Sequence, residues 1–131
     1  MQTKLLINGQ LVEGEGPAQA VFNPALGRVL VEIKEASEAQ VDAAVRAADA
    51  AFESWSQTAP KDRSLLLLKL ADVIEAHGEE LAKLESDNCG KPYSAALNDE
   101  IPAIADVFRF FAGASRCMRS EEHTSELQSP R

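Results

Sequence analysis

Hydrophobic and polar positions change their period once along this chain. Up to about residue 34 the apolar residues come in short extended runs. Leu5-Leu6-Ile7 and Gln10-Leu11-Val12 flank Asn8-Gly9. Asn-Gly between two short runs predicts a β-hairpin, because a type I′ turn needs positive φ at both central residues. Residues 13–18, with Gly14, Gly16 and Pro17, read as loop. Ala20-Val21-Phe22 is extended and is halted by Asn23-Pro24. Gly27 ends that turn, and residues 28–33 alternate as a further strand.

From Ser37 the period becomes helical. Ser37 with Gln40 three residues on predicts a capping box. Val41, Val45, Ala48, Phe52 and Trp55 then share one stripe, opposite Asp42, Arg46, Asp49 and Glu53. Thr58 is expected to cap a second helix, with Pro60 in its first turn. Leu66, Leu67, Leu70, Val73 and Ile74 are its expected buried face. His77-Gly78 marks a break. A third helix over residues 79–88 is expected to bury Leu81 and Leu84, with Gly90 as its C-terminal cap and Pro92 preventing continuation. A last helix runs from about Ser94 toward Met118, kinked or restarted at Pro102, with Ile101, Ile104, Val107, Phe108 and Phe111 on one side.

The plan is a few short strands followed by three or four amphipathic helices. The helical stripes are wide, and the strands before them are too few and too short to cover them. A partner chain or a further part of the same protein should lie against them. Trp55 and the phenylalanines at helical spacing read as core.

Composition narrows the function classes. With 131 residues and 45% hydrophobic content, one globular domain at most is expected. A net charge of -8 argues against nucleic acid or an anionic membrane surface as partner. The longest strongly apolar run, residues 65–68, is far too short to span a bilayer. The opening Met1-Gln2-Thr3-Lys4 leads into a strand-like run and not into a signal-peptide core. Cys89 and Cys117 give no disulfide framework, so the expected location is the cytoplasm.

Few residues invite a catalytic reading. Cys89 precedes Gly90 at a helix C-terminus, whose partial negative charge opposes a thiolate, so it reads as structural. Cys117, at a helix end, reads the same way. His77 with Glu79 and Glu80 matches no metal-ligand spacing. Gly14-x-Gly16 neither follows a core strand nor opens a helix, so it is not a dinucleotide fingerprint. No catalytic, cofactor-binding or metal residue is assigned.

The pattern stops at Arg119. Residues 119–129 have no apolar periodicity and one aliphatic residue, Leu127. All eleven resemble, in order, one reading frame of an adapter oligonucleotide used in short-read sequencing libraries. The expectation is a genuine segment over residues 1–118 and a non-native, disordered tail over 119–131, in which His123 carries no functional meaning. Setting the tail aside leaves the acid excess in place.

Residues 1–118 resemble the start of the aldehyde dehydrogenase superfamily. The resemblance is carried by the Ile7-Asn8-Gly9 hairpin, Asn23-Pro24-Ala25-Leu26-Gly27, the Ala-rich helix with Phe52 and Trp55, Arg63 before the Leu-rich helix, and Cys89-Gly90-Lys91-Pro92. Within it, Asn88-Cys89-Gly90-Lys91-Pro92, residues 98–104 and residues 106–114 resemble the bacterial 4-aminobutyraldehyde dehydrogenase branch. Betaine-aldehyde dehydrogenases are near relatives. The resemblance implies an α/β parent fold, of which this chain is the mostly helical N-terminal part of the NAD-binding domain without its Rossmann core. It implies a parent that oxidises 4-aminobutanal to 4-aminobutanoate in putrescine degradation. There a cysteine thiolate attacks the aldehyde, a hydride passes to NAD, and a glutamate activates water for hydrolysis. The family's Cys, Glu and oxyanion Asn fall downstream of the matched segment, so this chain is expected to be inactive and to bind no NAD. Its parent is expected to be a homo-oligomer, and the piece itself aggregation-prone. Some relatives hold a monovalent cation at positions that here are Phe22 and Asn88, where the carboxylate has become an amide. The alternative of another class is an inert helical interaction module that docks through its stripes.

Overall fold

The computed structural model describes residues 1–117. It is mostly helical, with the expected first hairpin, and the two further strands pair as a second one. Strands β1 (Leu5–Ile7) and β2 (Gln10–Val12) pair antiparallel, with Leu6 opposite Leu11. Asn8 at φ 51° and Gly9 at φ 74° take the two left-handed positions that a type I′ turn demands. The residues after β2 cross the end of the second hairpin. A side chain at Gly14 would lie 2.2 Å from the Lys34 carbonyl oxygen, so glycine is required there by close backbone approach.

Strands β3 (Ala18–Asn23) and β4 (Arg28–Lys34) form that second hairpin. Val21 faces Val31 while Phe22 faces Val29, so Leu30 is the extra residue of a bulge. Asn23 closes the turn. Its carbonyl accepts from the Gly27 amide at 2.9 Å and its side-chain oxygen accepts from the Leu26 amide at 3.0 Å. The two hairpins remain separate two-stranded sheets.

Helix α1 (Glu38–Ser56) starts with the expected capping box, the Gln40 amide donating to Ser37 Oγ at 3.3 Å and the Ser37 amide to Gln40 Oε1 at 3.1 Å. Gln40 does more than the motif requires. Its Nε2 donates to the Glu13 carbonyl at 2.8 Å and its Oε1 accepts from the Glu15 amide at 3.0 Å, which ties the loop after β2 to the helix start.

Helix α2 (Pro60–Ala76) is capped by Ala59, not by Thr58. Proline at the first helical position pushes the residue before it to an extended conformation, and Ala59 sits at ψ 142°. Its carbonyl accepts from the Asp62 and Arg63 amides. Helix α3 (Gly78–Cys89) follows directly and ends on Gly90 at φ 78°, as expected. The last helix begins as a single turn, α4 (Tyr93–Ala95), widens into a π turn (Ala96–Glu100), and continues as α5 (Ile101–Cys117). The Ile101 amide reaches back to the Ala96 carbonyl, and the next residue is Pro102, which has no amide to give. The expected break at Pro102 is thus a change of register.

The burial pattern corrects the sequence reading. Leu66, Leu70 and Val73 on α2, Leu81 and Leu84 on α3, and Ile104, Val107 and Phe111 on α5 are exposed. Apart from Ile101, the buried residues of these helices are small. Ser64, Ala71 and Gly78 recur every seven positions, and Ala105 and Ala112 do the same on α5. Helices α2 and α5 form the largest helix pair, and small residues on the contact line let them approach closely. Each of these helices packs mainly on the other, so they bury the contact line and leave the larger side chains beside it open. A second small cluster joins Ala82, Ala96 and Ile101, with Ile74 and Leu97 against it. Helix α1 buries no residue at all, and Phe52 and Trp55, expected in the core, are 66% and 50% exposed. Among the described residues no helix is long and apolar enough to cross a membrane.

Candidate functional site

The densest group of polar side chains lies where α3 ends and the π turn begins. Gly90 and Pro92 turn the chain so that Lys91 comes back against Glu100, and the two form an ion pair. The hydrogen bond it donates to Glu100 holds the Lys91 ammonium above the ordinary lysine range, and the charges of Glu100 and Glu85 act in the same direction. Cys89 is exposed, and its thiol donates to Glu85 Oε1 at 3.3 Å. An apolar cavity of about 620 Å³ adjoins this group, lined mainly by Ile74, Leu81, Ile101 and Ile104, with the Glu85 and Glu100 carboxylates. The sequence reading missed the group because Lys91 and Glu100 meet only through the π turn.

A second group pins α5 to α2. Arg109 spans Glu75 and Asp72, with Nη2 at 2.6 Å from Glu75 Oε2 and 3.0 Å from Asp72 Oδ1. These contacts push the arginine further up, and its hydrogen bond lowers the Glu75 carboxyl below the ordinary glutamate value. An arginine held by two carboxylates on the surface is a fastening between the two helices.

Cys89, Cys117 and His77 are all exposed. His77 meets Glu80 across 3.4 Å on the surface. Among the described residues no three His, Cys, Asp or Glu side chains gather as a metal site. Asn88 is exposed, and its neighbour Asp87 is half-buried. Asp87 Oδ1 accepts from the buried Asn23 amide at 3.3 Å, and Asp87 Oδ2 pairs with Lys83 at 3.0 Å. Gly14 and Gly16 lie against the Lys34 and Glu35 backbone. Cys117 is exposed at the end of α5, and His123 and the rest of the tail lie outside the described residues.

Comparison with known proteins gives these elements a context. The model of the aldehyde dehydrogenase family matches residues 11–130, a range that takes in the tail set aside above. The mitochondrial aldehyde dehydrogenase of Leishmania tarentolae is 45% identical over 114 residues, which are 86% of this chain and 23% of that protein. The crystal structure of PnpE in complex with nicotinamide adenine dinucleotide superposes with a TM-score of 0.87 at 41% identity, covering 91% of this chain and 25% of that one. A betaine aldehyde dehydrogenase from Staphylococcus aureus, in complex with NAD+, gives 0.82 at 31% identity over 88% of this chain and 24% of its own. The chain therefore spans about a quarter of the length of these relatives.

Proposed function

The chain belongs to the aldehyde dehydrogenase family, and from that premise we propose that it is the N-terminal quarter of an NAD-dependent enzyme oxidising 4-aminobutanal to 4-aminobutanoate. The observation that carries this reading is the likeness to PnpE, whose solved structure holds the dinucleotide and a quarter of which this chain matches in shape. The choice of 4-aminobutanal rests on the resemblance of residues 88–92, 98–104 and 106–114 to that branch. A betaine-aldehyde substrate is the second reading, favoured by the likeness to the Staphylococcus aureus enzyme.

In this reading residues 1–118 contribute structure and not chemistry. The hairpins and helices shape one side of the NAD-binding domain, and the exposed stripes of α1, α2 and α5 seat the remainder of the enzyme. The nucleophilic cysteine, the glutamate and the oxyanion donor belong to that remainder. No residue here takes their roles, and this chain alone neither turns over aldehyde nor holds NAD. Residues 119–129 are foreign to the enzyme, on their likeness to adapter-derived sequence. The enzyme works in a reducing cytoplasm, which two unbonded cysteines suit.

The test has two arms. The purified 131-residue chain with NAD and 4-aminobutanal should give no NADH absorbance, and turnover above a heat-killed control overturns the inert reading. The full-length gene product should prefer 4-aminobutanal to betaine aldehyde in kcat/KM, and the reverse order replaces the substrate. If the chain instead melts cooperatively as a defined oligomer, the alternative of a helical interaction module gains the ground.

A further inference from the structure

We draw no further inference here: the strongest candidate, the exposed apolar stripe of Val41, Val45, Phe52 and Trp55 along α1, belongs to the reading already proposed, and nothing in the structure shows what covers it.

Discussion

Arg109 of α5 holds Glu75 of α2 at two points, Nη1 to Oε1 at 2.7 Å and Nη2 to Oε2 at 2.6 Å. This two-pronged contact fixes the rotation of one helix against the other, while the small residues between them set the distance. Glu75 binds its proton less readily when folded, because the guanidinium favours the carboxylate. The pair therefore contributes stability at neutral pH. That contribution is lost as pH falls from the ordinary glutamate value near 4.5 through the lowered folded value. Arg109→Met should flatten this acid dependence in a circular-dichroism titration, and an unchanged acid limb would refute the coupling.

The contact line between α2 and α5 should tolerate enlargement poorly. Ala105 is fully buried, so Ala105→Leu is expected to cost about 1–3 kcal/mol by overpacking. Leu66, half in water already, should cost roughly 1 kcal/mol or less as Leu66→Ala. Urea melts followed by helical signal compare the two, and the opposite order would show that the leucine row is the true seam.

Ser37→Ala removes the cap of α1 and is expected to cost about 0.5–2 kcal/mol of helix stability. Gln40→Ala should have a further effect at a distance. The Glu15 amide loses its acceptor, so its hydrogen exchange should speed up in Gln40→Ala and much less in Ser37→Ala.

Phe52 and Trp55 stand in water in this chain. Phe52→Asp with Trp55→Asp should leave the helical signal unchanged and lower the binding of an apolar fluorescent dye. The half-exposed indole of the unmodified chain should be accessible to acrylamide quenching. A protected indole would mean that another copy or another segment already covers the stripe.

The coding DNA across codon 119 tests the tail. Adapter bases there are expected, and continuous aldehyde dehydrogenase coding sequence would make residues 119–129 native.

Local chemistry was legible in the sequence wherever a few neighbouring residues decide the outcome. The Asn8-Gly9 turn, the Ser37–Gln40 box and the Gly90 cap all depend on contacts within four residues. The burial pattern was not legible. Periodicity tells which side chains share a face, and it cannot tell which part of that face meets a neighbour. Leu66, Leu70 and Val73 sit on the predicted apolar side of α2, yet Ser64 and Ala71 occupy the line of contact. Thr58 was a sound cap by residue type and lost the position to the backbone constraint that Pro60 places on Ala59. At the candidate site, Cys89 and His77 each meet only a carboxylate of their own helix, within helical spacing. The Lys91–Glu100 pair was not legible, because it joins residues across a change of helix type that no local signal announces.

The pairing of α2 with α5 also has a consequence in time. Arg109 and Glu75 are 34 positions apart, and the loop between them is short enough to close at modest entropic cost. Everything that holds the two helices together has left the ribosome once residue 117 is free, at a synthesis rate of roughly 5–20 residues per second. The helices can settle on their alanines first and leave their leucines open. Until such leucines are occupied, a newly made helix pair is the kind of apolar surface that a chaperone would hold.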